Sequence, residues 1–241
     1  MEVIKKFFSA ILFYLLVSCS EPIEVNLKDF NLEEDVFSLG AELMSIDYGL
    51  YLLEEQSAKQ TRLLIGVHGR ESRGYEWIYP LKTIDDTETL TSFYRWNDSG
   101  CPRIPYNLLK SSIESTLQSN PGLKEVVVIG HSYGAVLTSL FSSDWANEES
   151  LTLHLIAGPL AGISSFTSLC SYEPPSGISK NVNFYEWRTR KELDGAFKDL
   201  DFDPQEIDLP GSNVRRLPET YNGRKLGHNW SISWVADEIS K

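Results

Sequence analysis

The chain has 241 residues, enough for one sizeable core and too few for two ordinary domains. Hydrophobic residues make up 41% and charged residues 23%, the balance of a globular protein rather than a disordered or fibrous one. A net charge of −12 offers no basic groove for phosphates, which excludes nucleic acid as a partner.

Residues 1–18 stand apart from the rest. Lys5 and Lys6 make a basic start, and the apolar run 7–17 is too short to span a bilayer as a mature helix. It reads as a secretory signal. Leu16-Val17-Ser18-Cys19 resembles the bacterial lipoprotein processing box. That resemblance implies cleavage before Cys19, acylation of Cys19, and a mature protein held to a membrane by its lipid chains. Ser20 follows the cysteine rather than an aspartate, which in such lipoproteins implies the outer membrane, on its periplasmic or surface side. Several acyl chains, at ~0.8 kcal/mol per buried CH₂, make such anchorage durable. The polar stretch 19–31 is expected to be a tether, and 32–241 a single domain.

Residues 32–44 fit a helix or a strand equally well. Residues 45–55 are apolar and aromatic, as an early strand would be. Arg62-Leu63-Leu64-Ile65-Gly66-Val67 reads as a buried strand and ends in His68-Gly69-Arg70. Residues 74–81 are then a loop feeding a short helix. Its Tyr75, Trp77 and Tyr79, with Trp96, either wall an apolar pocket or pack in the core. Residues 92–96 form the next strand. Asn107 is placed to cap a helix whose Leu109, Ile113 and Leu117 lie one turn apart. Ser119-Asn120-Pro121-Gly122 stops it.

The stretch around Ser132 organises the rest. Residues 126–129 are a continuous β-branched run, the mark of a strand covered on both faces. Val136, Leu137, Leu140, Phe141 and Trp145 then recur at helical spacing. Between the two periods sits Gly130-His131-Ser132-Tyr133-Gly134. Glycine on both sides lets strand and helix pack closely around a strained turn that presents the serine hydroxyl. The first-turn N–H groups of the new helix lack intrahelical partners and face the same place. A bare G-x-S-x-G arises by chance in roughly one chain of this length in ten, so its strand-to-helix setting carries the signal.

Strands follow over 151–157, 181–189 and 214–217, separated by a Ser-, Gly- and Pro-rich loop and by an acidic loop over 190–211. The last helix carries Ile232, Val235, Ala236 and Ile239 on one face. Strands alternating with helices predict an α/β fold, a mostly parallel central sheet with helices on both faces. Ligands bind such sheets at the carboxyl ends of the strands.

A serine hydroxyl needs a positioned base to act as a nucleophile. The chain has four histidines. His131 lies inside the turn, His154 alternates with leucines in a strand, and His68 precedes a strand-end glycine. His228, in a loop before the last helix, remains as the base. An acid must hold the tautomer of that base. Asp194 sits just past the strand over 181–189 and before Gly195, and is favoured; Asp201, Asp199 and Asp203 are its rivals.

Strand-His68-Gly69, strand-Gly130-His131-Ser132-Tyr133-Gly134, Asp194 and His228 together resemble the α/β-hydrolase superfamily, in the chain order Ser, Asp, His. The resemblance covers roughly residues 45–241. It implies an oxyanion hole formed by the amide of Tyr133 with that of Arg70 or Gly69. It implies a serine hydrolase that cleaves carboxylic esters of small molecules or lipids through an acyl-enzyme, with no cofactor and no metal. Thioester or amide cleavage by the same residues is an alternative, and a surface binding module with idle chemistry is another. The side chains of Arg70 and Arg73 either meet an anionic group on the substrate or, as favoured, are solvated surface. Cys101 and Cys170 either pair, as an oxidising compartment allows, or remain two free thiols.

Overall fold

The computed structural model describes residues 25–33 and 35–241. The leader over 1–18 and Cys19 lie outside these residues. Among the described residues, seven strands form the central sheet: β1 (Gly49–Leu52), β2 (Arg62–Val67), β3 (Thr89–Arg95), β4 (Glu125–His131), β5 (Ser150–Ile156), β6 (Val182–Arg188) and β7 (Asn213–Arg216). Their order across the sheet is β1-β3-β2-β4-β5-β6-β7. β1 runs antiparallel to β3, and each other neighbouring pair is parallel. The fold is the mixed α/β sheet that the alternating pattern predicts.

The helices are α1 (Val36–Leu43), α2 (Tyr75–Ile84), α3 (Arg103–Ser119), α4 (Tyr133–Ser139), α5 (Phe141–Asp144), α6 (Ser164–Cys170) and α7 (Trp230–Ile239). Side chains alternate across each strand, so the sheet builds two cores. Leu63, Ile65, Val126 and Val128 join Leu109 and Ile113 of α3 and Leu137 of α4. Leu64, Val127 and Ile129 join Trp77 and Leu81 of α2 and Val235 of α7. Both faces of β2 and β4 are therefore covered, which is why these strands are apolar without interruption.

Several boundaries differ from expectation, each for a local reason. Residues 36–43 are helical, capped by Asp35, whose Oδ1 accepts from the Phe37 amide at 3.0 Å. Asn107 does not cap α3. That helix begins a turn earlier, after Pro102, and Pro105 sits in its first turn, where a missing N–H costs nothing. The segment after Ser132 is not one helix but two, α4 and α5, divided at Leu140. The connection from β5 to β6 contains α6, which the Ser-, Gly- and Pro-rich composition hides. Asn222 and Gly223, both at positive φ, turn a small hairpin of β8 (Thr220–Tyr221) and β9 (Arg224–Lys225). At the amino end, Leu27 and Phe30 are buried in the α2 core, and the Leu27 amide donates to Leu53 O at 2.6 Å. Residues 27 and 30 of the expected tether thus pack against the domain.

Candidate active site

β4 ends at His131, α4 begins at Tyr133, and Ser132 alone makes the corner. It is held at φ 54° and ψ −119°. A left-handed φ at a serine costs on the order of 1–3 kcal/mol and persists only where the surroundings impose it. The surroundings do so through close backbone packing. A Cβ on Gly134 would lie 2.4 Å from Val67 O and 2.5 Å from His68 O. One on Gly130 would meet Thr138 Oγ1 at 2.3 Å. One on Gly69 would meet the Ser132 Cβ at 2.9 Å. The end of β2 therefore presses directly against the serine corner, and the glycines are what permit it.

The loop after β6 brings in the acid. Asp194 is fully buried. Its Oδ1 accepts from the Ala196 amide at 2.8 Å, and its Oδ2 accepts from Thr189 Oγ1 at 2.5 Å. Oδ2 also accepts from His228 Nδ1, at 2.9 Å. With Nδ1 carrying the proton toward the carboxylate, Nε2 is left as the acceptor. The ring is held edge-to-face against Phe197 at 5.2 Å. His131 packs beside it, 4.6 Å between ring centroids, and its Nε2 donates to the His228 carbonyl at 3.2 Å. Burial first, and the neighbouring His228 second, hold the His131 pKa well below the ordinary value, so it stays neutral.

Ser132 and His228 line one cavity of about 270 Å³, which also touches Gly69 and Arg70. Ser132 also lines a second cavity of about 400 Å³, with Tyr133, Arg70, Pro159, Ile163 and Phe197. Among the described residues no hydrogen bond joins the serine hydroxyl to the imidazole. Such contacts commonly shorten only when substrate is bound. Cys101 and Cys170 form a disulfide, Cα–Cα 5.3 Å, in the wall of the larger cavity.

The residues singled out from the sequence thus come together at the carboxyl ends of β2, β4 and β6. The rival acids do not. Asp199 and Asp201 are exposed, and Asp203 pairs with Arg216 at 2.8 Å. His68 is buried and accepts from the Trp96 amide through Nε2 at 3.1 Å, while His154 accepts from Trp187 Nε1 at 3.0 Å. Trp77 and Trp96 belong to the core, and Tyr75 and Tyr79 face a different cavity from the 400 Å³ one. Sequence reasoning passed over Thr189, whose only signal was its place at the end of β6, and over the packing of His131 on His228. Among the described residues no cluster of His, Cys, Asp and Glu is arranged to hold a metal ion.

No protein-family model and no curated protein matches the chain. Solved structures do. An esterase of Pyrococcus furiosus is 13% identical with a TM-score of 0.51, over 76% of this chain and 80% of that one. Est1E of Butyrivibrio proteoclasticus is 11% identical with a TM-score of 0.51, over 79% and 90%. A post-proline cleaving enzyme of Rickettsia typhi is 11% identical with a TM-score of 0.50, over 79% of this chain but 35% of that one. At these identities the likeness is one of fold, a mostly parallel central sheet with helices on both faces.

Proposed function

We propose that the protein is a serine hydrolase that cleaves carboxylic esters by acyl transfer. The observation that carries the reading is the buried Asp194–His228 hydrogen bond, with His228 and a Ser132 held at positive φ lining one cavity. Ser132 Oγ attacks the ester carbonyl while His228 Nε2 takes its proton. The oxyanion is stabilised by the Tyr133 and Arg70 amides, with Gly69 bringing the Arg70 loop into range; one such donor is typically worth ~3–4 kcal/mol. The carbonyl–oxygen bond to the alcohol breaks, and His228 returns its proton to the leaving oxygen. Water then repeats the cycle on the acyl-enzyme and releases the acid. Asp194 keeps Nδ1 protonated and stabilises the imidazolium.

The test is turnover of a panel of acyl esters of graded chain length, beside matched thioesters and amides. Esters are turned over fastest, and Ser132→Ala leaves only background hydrolysis. Equal activity in that variant ends the reading. Faster thioester or amide cleavage reassigns the leaving group. Attachment through acylated Cys19 belongs to the same proposal and rests on the lipoprotein-like box. Incorporation of labelled palmitate that is lost in Cys19→Ala tests it.

A further inference from the structure

We propose that the His228 side of Ser132 is a leaving-group subsite for a polyhydroxylated alcohol, a sugar or a polyol, and that Glu76 selects it. The proposal rests on the serine-hydrolase reading and names the substrate class of that site. The two cavities that meet at Ser132 differ in one decisive respect. The 270 Å³ cavity is lined by His228, and the 400 Å³ cavity is not. The departing oxygen must receive its proton from His228. The alcohol therefore occupies the smaller cavity, and the acyl group the larger, more apolar one.

The walls of the alcohol cavity include Arg70, Glu71, Ser72, Arg73, Glu76 and Asn229. Together they supply two guanidinium groups, two carboxylates, a hydroxyl and an amide. Such a surface favours neither a cation nor an anion, and offers both donors and acceptors to a neutral alcohol. Glu76 is its least explained member. Its relative exposure is 8%, and Oε1 accepts from Ser72 Oγ. Oε2 is buried with no hydrogen-bond partner among the described residues. Buried carboxylate oxygens are ordinarily hydrogen-bonded. The first turn of α2 favours a negative charge at this position but leaves Oε2 unused. A hydroxyl of the bound alcohol supplies the missing donor once the carboxylate turns toward the cavity that Glu76 lines.

Glu76 also lines a third cavity of about 660 Å³, which shares Tyr75 and Asn229 with the 270 Å³ one. Its other walls include the rings of Phe37, Tyr79, Tyr221 and Trp230. The hydroxyls of Tyr79 and Tyr221 both donate to Asp237, at 2.5 and 2.6 Å, which fixes the two rings. Flat apolar faces next to convergent polar groups suit the C–H faces and hydroxyl edges of a sugar ring. An ammonium group is disfavoured there, because Arg224 already lies over the Trp230 ring at 5.6 Å.

The test compares kcat/KM for three butyrate esters, of ethanol, glycerol and glucose, in the full chain and two variants. The wild type prefers the glycerol or glucose ester to the ethyl ester by about tenfold or more, and Glu76→Gln lowers that preference by about tenfold. Trp230→Ala lowers the glucose-to-glycerol ratio. Each readout is a ratio within one variant, so partial unfolding cancels, and circular dichroism checks that the variants fold. A dominant glucose ester assigns the sugar, and a dominant glycerol ester assigns the polyol. A wild-type ratio near one, or a ratio that Glu76→Gln leaves unmoved, overturns the proposal while hydrolysis of ethyl butyrate leaves the serine-hydrolase reading standing. Failure to turn over any of the three, together with an unreactive Ser132, removes both.

Discussion

His228 Nδ1 donates to Asp194 Oδ2 at 2.9 Å across 34 residues of sequence, and the carboxylate that receives it is wholly buried. Thr189 Oγ1 and the Ala196 amide donate to the same carboxylate. A carboxylate so surrounded has one way to accommodate the ring, with the proton on Nδ1. Asp194→Asn replaces an acceptor by an amide that can present its N–H groups to the ring and reverse the tautomer. Its kcat for ester hydrolysis falls by about 10³–10⁴-fold. Asp201→Asn, on an exposed residue, leaves kcat unchanged. Steady-state kinetics on the two variants separates the favoured acid from its nearest rival.

Stability should depend on pH through two histidines outside the site. Burial holds His68 and His154 at about 4, well below the ordinary 6.5. Each stays neutral in the folded chain while its unfolded counterpart takes up a proton below about pH 6.5. The unfolded state then binds more protons, so stability rises with pH between about 4 and 6.5. The contribution is present in full above that window and is lost as pH falls through it, by on the order of 3 kcal/mol for each histidine. Glu54 and Asp85, whose carboxyls burial raises, oppose this in part. His154→Gln keeps an acceptor for Trp187 and removes the titration. Its Tm falls less steeply than that of the wild type between pH 7 and pH 5. Parallel Tm profiles would contradict the account.

The disulfide ties the loop after β3 to the end of α6 and closes 69 residues of chain. Both halves stand in the wall of the 400 Å³ cavity. The double variant Cys101→Ser, Cys170→Ser loses roughly 2–4 kcal/mol of stability, read as a lower urea midpoint. KM for esters rises as well, because the proposed acyl wall is no longer held. A change in midpoint without a change in KM would leave the bond a purely structural role.

Gly134→Ala tests the packing that strains Ser132. The new methyl would sit within 2.5 Å of two backbone oxygens, Val67 O and His68 O, and backbone gives way less readily than a side chain. Overpacking of this kind costs about 1–3 kcal/mol. The lost stability should be accompanied by lost activity, since relief requires the end of β2 to move away from the serine. Unfolding curves and kcat measured on one preparation check both effects.

The parts legible in the sequence were those dictated by local periodicity and by chemistry that few residues can perform. β2 is a run of six apolar-rich residues, and its bounds match the pattern. The glycines around Ser132 announce a close approach because no larger residue fits there. His228 emerged by elimination, and Asp194 by its place beyond a strand end. What stayed hidden depends on contacts between distant segments. α6 carries no long apolar stripe and is held by a disulfide to Cys101. Leu27 and Phe30 look like part of a polar tether until α2 is there to cover them. The orphaned oxygen of Glu76 has no sequence signature, since its burial depends on the packing around α2. The Asn222-Gly223 turn, by contrast, is written in the sequence, in the residue pair that a two-residue hairpin demands.

The central claim is that Ser132 is a live nucleophile driven by His228. A fluorophosphonate probe reads this directly, because it bonds covalently only to an activated serine. Intact-mass and peptide analysis should find one adduct, on Ser132, in the wild type, and none in Ser132→Ala. In His228→Ala labelling should be slower by several orders of magnitude. A wild-type protein that takes no label, or one labelled equally fast without His228, would contradict the account.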